Sequence, residues 1–446
     1  MAQPLNIISK KEKRGSIIMG LLWLTMVTGF PCVISGFTWA HTLFSSQDIL
    51  LSLLLSSSVL IIYSFLASYL GSVTGQTFTV LTRSIFGLWG SYGISLFIVI
   101  IASLWYAITA LFLSSALIDL FNLPIANGLL ASILAIIMAF NNLYGFTGIA
   151  LFAGYFAAPA LILWILLVLS NLEPRFGLII NHVNFNNINF TSFSLVSSFV
   201  LGFGAWGNEA DFWRYAKPNK TKIFTSLILC IIIGQIIFPL TGYFIGKLNV
   251  NVAINELPKL MNHYGYLGSP ITTAVVLIAS YFAVNDSTLY GITNAIRNVK
   301  QIGHGKIVVF FMLVTAYLAN VLSYNPNAYL WVANLSASIL PQASILLIIE
   351  WYLFTKQDIE KFNASLVDNV KFKWVGCLAL LAGYIYGIIN SSQILTHKSN
   401  INSSNVLSIW FVSIFIYIIL RFIILKYESQ NSHSSESNKI ETPISR

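Results

Sequence analysis

Charge is what this sequence has least of. Only 9% of its 446 residues are Asp, Glu, Lys or Arg, and 57% are hydrophobic. A soluble globular domain carries about 25% charged residues, so this chain cannot clothe a surface that faces water on all sides. The three cysteines, Cys32, Cys230 and Cys377, all sit inside apolar runs. Three scattered thiols exclude a disulfide framework and a Cys/His metal site. A Walker-type phosphate loop, an HExxH pair and a GxSxG elbow are absent too. That leaves no equipment for an ATP-driven pump or a membrane hydrolase. The first apolar run is too long for the core of a cleavable signal peptide and has no small-residue cleavage pattern behind it.

What is present is apolar sequence in lengths that cross a bilayer, for which about 20 residues are needed per helix. Twelve runs are expected to be transmembrane helices: 17–40, 49–72, 92–119, 126–143, 147–171, 193–210, 221–246, 270–296, 306–323, 329–354, 372–390 and 405–425. The fold class is therefore an all-α integral membrane protein. The net charge of +9 does not point to nucleic acid, because it is distributed by side. With twelve spans and both termini on one face, twenty of the twenty-four Lys and Arg residues fall on that face; only Arg175, Lys247, Lys259 and Lys398 fall on the other. The positive-inside rule puts the basic face, and both termini, in the cytoplasm of a cell whose inner membrane the chain spans. A wrong helix count would scramble the asymmetry. The polar, Ser-rich stretch 427–446 reads as a disordered tail, and 171–189 as a long outer loop. The link from Gly71 to Gly90 reads as an interfacial helix with turns.

Runs one and six share an oddity. Thr28-Gly29-Phe30-Pro31 interrupts the first, and Pro31 lacks an amide donor. The stretch Leu201 to Lys217, LGFGAWGNEADFWRYAK, interrupts the sixth with Gly202, Gly204 and Gly207 and brings Asn208, Glu209 and Asp211 to the end of an apolar segment. Lipid offers no hydrogen-bond partners, so such a patch must face protein or water. Interruptions at corresponding places, five runs apart, indicate an inverted-repeat transporter with its site at the midplane. The expected divisions are a tail over 1–16, repeats over 17–171 (helices 1–5) and 193–354 (helices 6–10), and peripheral helices 11 and 12 over 372–425. Asp211 and Arg214 read as a solvated helix end.

Other residues carry possible chemistry. Trp105 lies near the middle of run three, where a flat ring can stack on a planar ligand; the alternative is a core or interfacial aromatic. Run eight holds Ser280, Asn285, Asp286 and Ser287 deep in an apolar helix, as a binding surface or as an interhelical hydrogen-bond cluster. Glu209 and Asp286 are the acids placed nearest membrane depth. A carboxyl in a low dielectric favours its neutral form and can exchange a proton near neutral pH, which proton coupling needs. Pairing with a backbone amide or with Arg297 is the alternative for either.

Several of these pieces together resemble the nucleobase:cation symporter family over about residues 20–361, with bacterial cytosine permeases the nearest likeness. They are Thr74-Gly75, Arg83 to Gly87, Gly90-Ser91, Trp105, Ala210 to Tyr215, Asn285-Asp286 with Leu289-Tyr290, Leu335 to Ala337 and Ile339 to Pro341. The resemblance implies the five-plus-five inverted-repeat fold with helices 1 and 6 broken. It also implies import of a nucleobase sandwiched between aromatics of helices three and six. Trp105 would be the helix-three ring and Phe203 the helix-six ring, with Trp206 the runner-up. Ser280 and Asn285 would line the substrate side of helix eight, and amides freed around Gly202 to Gly204 would bond the base edge. Sodium-using members place hydroxyl residues where this chain has Ala283 and Val284, the remaining ligands being main-chain carbonyls near Met26 to Phe30. The departure favours H+ over Na+ as coupling cation, with Glu209 the first proton carrier. Two further departures are Ala102, in place of a Gln of cytosine permeases, and Ser280, in place of an Asn. They leave the cargo open among cytosine, other pyrimidines and purines, a thiamine-type pyrimidine, a hydantoin or an amino acid. No bound cofactor, metal or nucleic acid is expected; the partners are the substrate and the lipid bilayer, and a monomer suffices. An uncoupled exchanger or facilitator, and a pore or sensor, are the other readings.

Overall fold

The computed structural model describes residues 7–42, 44–172, 190–253, 256–265, 269–325, 328–367, 370–390 and 405–437. The expected outer loop 171–189 lies almost wholly outside them, as does the end of the C-terminal tail.

Twelve helical segments follow one another among the described residues, one for each expected span. In chain order they are α1, broken into α1a (Ser16–Val27) and α1b (Phe30–Ala40); α2 (Ser46–Thr74); α3 (Arg83–Phe121); α4 (Asn127–Ala139); and α5 (145–172). Next come α6, broken into α6a (Phe190–Gly204) and α6b (Glu209–Trp213); α7 (Lys220–Leu248); α8 (Pro270–Val299); α9 (His304–Leu322); α10 (Ala328–Ile349, continued over Glu350–Phe354); α11 (Trp374–Asn390); and α12 (Asn405–Ser437). Seven stretches are long and apolar enough to cross a membrane as they stand, α4 and α5 counting together, and the bent α1 pair adds an eighth. The rest are shorter or interrupted.

Local chemistry sets several ends. Ser45 and Asp48 form a reciprocal capping box at the start of α2. Asn219 caps α7 through the Lys222 amide, and Pro270 opens α8, where its missing N–H costs nothing. α12 runs to Ser437, ten residues past the expected start of the disordered tail at 427. No Gly or Pro interrupts that stretch, so an established helix propagates through polar residues at low cost.

Burial ranks the helices. The most apolar window of α8 is 78% buried and that of α12 only 22%, so α8 is central and α12 faces outward. Leu96, Ile100, Leu129, Leu163, Phe310, Leu313, Phe411 and Phe415 stay exposed, an apolar band of the kind lipid covers. Without a hydrophobic drive between helices in lipid, close approach depends on small residues. α1b and α7 meet at Gly36 and Gly242: a β-carbon on Gly36 would lie 1.8 Å from the Pro239 oxygen, and one on Gly242 2.0 Å from the Val33 oxygen.

The basic loops converge on one face. Ile8 N–H donates to Gly75 O, and Arg14 N–H donates to Tyr215 O. Lys13 Nζ bonds Ser72 O. The link between α2 and α3 is buried beneath them, not spread at an interface: Gly75 ends α2 at positive φ, Phe78–Leu81 forms a short helix, and Gly87 kinks the start of α3.

Gly36→Ala should force α1b and α7 apart and cost about 2 kcal/mol or more of stability. Gly93→Ala, where a β-carbon meets nothing within 4 Å, should cost nothing. Thermal unfolding in detergent compares the two.

Candidate functional site

The site begins with the two breaks. α1a ends at Val27; Thr28 is extended, and Gly29 at φ 155° turns the chain into α1b, bent 44° from α1a. A β-carbon on Gly29 would sit 2.6 Å from Ser280 Oγ, so α8 presses on the break and only glycine fits. In α6 the helix persists through Gly204, and the break covers 205–208. The amides of Gly202, Phe203 and Gly204 therefore stay within the helix and are not the freed ones. The groups released are further on, at Trp206 and Gly207. Gly207 has φ 81°, and a β-carbon there would lie 2.6 Å from the Leu340 carbonyl carbon of α10.

Glu209 closes this break. Its Oε1 accepts from the amides of Trp206 at 2.9 Å and Gly207 at 3.3 Å, and its Oε2 accepts from Tyr63 OH of α2 at 3.0 Å. The residue is fully buried, and three donors converge on it in place of a counter-ion. These donors take three of the roughly four lone-pair sites of the carboxylate and leave one on Oε2 for a proton. The break in α1 is closed differently: Gln235 of α7 donates its amide to Val27 O at 2.5 Å.

The expected substrate residues divide. Phe203 is half-buried and stacks on Phe199 (5.5 Å, 9°); it packs on the same cluster as Phe30 and Tyr281. Trp206 packs instead on the cluster that holds Met26. Trp105, half-buried, packs with Ile101, Ile108 and Val332, and no ring contact among the described residues joins it to Phe203. Ser280 is 1% exposed and its hydroxyl has no partner. With Phe30, Trp164, Phe238 and Leu277 it lines a narrow, mostly apolar cleft. Asn285 turns its amide to α3 and α4 rather than to the breaks. Its Oδ1 accepts from Thr109 Oγ, and its Nδ2 reaches Tyr106 O (3.3 Å) and Met138 Sδ (2.9 Å).

Asp286 does not pair with Arg297. Its Oδ2 accepts from Asn141, its backbone oxygen from Asn142 at 2.5 Å, and Oδ1 has no partner. Phe30 meets Tyr281 edge-on at 6.4 Å, and Met26 is wholly buried. Ala283 packs on Ala157 and Ala279, and the Val284 carbonyl accepts from Thr288.

Asp211 and Arg214 are not a solvated helix end: they are 0% and 5% exposed. Asp211 Oδ1 accepts from Phe78 N–H at 2.7 Å and so caps the short helix whose own N-cap residue, Thr77, makes no side-chain cap. Arg214 donates to Tyr290 OH at 2.8 Å and to Tyr215 OH at 3.3 Å. The link between α2 and α3 and the N-terminal strand of chain cover them, shielding that no local pattern reveals. Gln235, Tyr63 and Asn141 escaped sequence reading for the same reason. A lone Gln in an apolar run was the one signal available for Gln235.

Two helices interrupted in mid-membrane, five segments apart and each clamped by a neighbour, define a secondary transporter of the inverted-repeat class. No protein-family model matches the chain. The cytosine permease of Escherichia coli K12 is 23% identical over 391 residues, 82% of this chain and 85% of the relative; that of Escherichia coli O157:H7 matches equally. Among solved structures, Mhp1, a nucleobase-cation-symport-1 family transporter in a closed conformation with bromovinylhydantoin bound, superimposes with a TM-score of 0.72. It is 17% identical and covers 95% of this chain and 96% of its own. The inward-facing form of Mhp1 gives 0.67 at 14% identity, covering 97% and 96%, and a Na+-coupled sialic acid symporter gives 0.63 at 10%, covering 92% and 90%. These findings bear out the resemblance to the nucleobase:cation symporters and the inverted-repeat fold. The chain is a multi-pass membrane transporter, not an enzyme.

Asp211→Ala should expose the Phe78 amide and speed hydrogen exchange over 76–82 by about tenfold, as expected for loss of a cap. Asp211→Asn keeps the acceptor oxygen and should hold most of the protection. Exchange followed by mass spectrometry checks both.

Proposed function

We propose that this protein is an inner-membrane symporter that imports a nucleobase, cytosine or a related pyrimidine or purine, together with a proton. The observation that carries the reading is the pair of clamped helix breaks in a chain whose relatives are cytosine permeases. A midplane site between broken helices is where such folds hold their cargo. Trp105 and Phe203 supply the flat rings, Ser280 a free hydroxyl beside the α1 break, and the chain works as a monomer with both termini cytoplasmic.

Proton coupling is favoured over sodium by the side chains of α8. Sodium takes oxygen ligands, and Ala283 and Val284 have none to give. Glu209, buried at the α6 break, is the proton carrier of this reading. Taking up a proton there would remove the charge that strengthens its three hydrogen bonds and so loosen the break, which links protonation to the shape of the site.

A second reading keeps the fold and changes the cargo to another small heterocycle such as a hydantoin. It is favoured by Ala102 and Ser280, which cannot offer the amide edge that reads a pyrimidine. Unpaired polar groups reject a mismatched ligand strongly.

Uptake of radiolabelled cytosine into proteoliposomes, under a proton or a sodium gradient and with unlabelled heterocycles as competitors, separates these. Proton-driven, cytosine-competed uptake is the expected result; sodium-driven uptake overturns the coupling assignment, and competition only by hydantoins overturns the cargo. Trp105→Ala should abolish uptake with the protein still folded in the membrane, and normal kinetics would remove Trp105 from the site. Glu209→Gln should lose accumulation driven by the proton gradient while still exchanging bound substrate.

A further inference from the structure

α7 is not a regular helix. Between Lys220–Ile231 and Phe238–Leu248 it widens into a six-residue turn, Ile232–Ile237, closed by bonds one residue longer than normal. Such widened turns inside helices recur at functional positions. This one lies at the depth of the α1 break. A β-carbon on Gly234 would fall 2.2 Å from Thr28 Oγ1 and 2.5 Å from Val27 O, so the two irregular backbones touch there. Gln235, 0% exposed, points its Nε2 at Val27 O (2.5 Å) and lies 3.7 Å from Cys32 Sγ.

On either side of the turn α7 grips the two halves of α1 separately. Below it, Cys230 Sγ bonds Gly20 O at 3.0 Å and Ser226 Oγ bonds Ser16 O at 3.3 Å. Above it, Gly36 and Gly242 let α1b and α7 meet backbone to backbone. Val27 O is the last carbonyl of α1a, an orphan of the break that lipid cannot satisfy; besides Gln235, only the weak Cys32 S–H reaches it, at 3.8 Å, among the described residues.

We propose that Gln235 is a positioning residue for transport: its amide holds the carbonyl that the α1 break leaves open, and so sets from α7 the angle between α1a and α1b. The widened turn is what brings the amide there. The neutral donor takes the place at Val27 O that water or a cation would otherwise fill, and Gln235 acts through α1 without touching the substrate.

Cys32 is the probe the chain already carries, buried beside the amide. In a Cys230→Ser, Cys377→Ser background, Gln235→Met keeps the volume and removes the donor. It should raise the rate of Cys32 modification by a membrane-permeant maleimide about tenfold, as expected for a buried acceptor that loses its amide donor and keeps only a weak thiol. It should also lower the maximal uptake rate about tenfold with KM nearly unchanged. Gln235→Glu can donate to Val27 O only when protonated. Its Cys32 reactivity, taken relative to the parent at each pH, should return to the parent value as pH falls; the titratable side chains facing this position among the described residues are Cys32 and, beside it, Tyr281, and both are present in the parent.

Parent-like labelling and uptake in Gln235→Met would overturn the proposal. So would a flat relative profile for Gln235→Glu, which decides the matter if Gln235→Met does not reach the membrane. The uptake arm rests on the transport reading; the labelling arm needs no substrate, so loss of one is distinguishable from loss of the other.

Discussion

A peptide group freed inside a membrane has to find its partner within the protein, and much of this structure follows from that requirement. Both breaks release such groups. In α6 a carboxylate answers, Glu209 gathering the Trp206 and Gly207 amides; in α1 an amide answers, Gln235 meeting Val27 O. The two clamps have opposite chemical character because the breaks expose opposite ends of helices: amides at the start of α6b, a carbonyl at the end of α1a. Each draws in a further helix, α2 through Tyr63 and α7 through its widened turn. Helices 2 and 7 therefore serve as the splints of helices 6 and 1.

The basic face shows the same economy in its loops. Asp211 caps the Phe78–Leu81 helix, Arg214 bonds two tyrosines, and Arg83 is buried against Asn298, which in turn reaches Ser91 and Ser95. Most of the residues that carry the family resemblance lie here, away from the rings of Trp105 and Phe203. They brace α3, α6 and α8 at one end. A motif of this kind identifies the scaffold and says less about the cargo.

Parts of the site were legible in the sequence. Pro31 and the glycines around 202–207 announced the breaks, and Glu209 was singled out because an acid placed near membrane depth needs a reason. The position of the second break was misread by a few residues: Gly202 and Gly204 are tolerated inside α6a, and a β-carbon on Gly204 would meet Leu60 at 2.4 Å. There the glycine serves close packing, not a turn. The resemblance puts Asn285 on the substrate side of helix eight, and its polarity and depth alone allowed an interhelical cluster as well; neither tells which neighbours it meets. Its partners come from residues 106, 109 and 138, far away in the chain.

Composition, run length and the sidedness of Lys and Arg determined that this chain spans a membrane many times, with its basic loops together, because hydrophobic thickness and electrostatics act on each segment separately. Which polar residues are buried, and against what, was decided only by tertiary structure. Asp211 and Arg214 look like a wet helix end until the link between α2 and α3 covers them, and Gln235 looks like a stray polar residue until α7 widens beside Val27. Satisfying a buried polar group is a property of pairs brought together by packing, and no window of sequence contains both members.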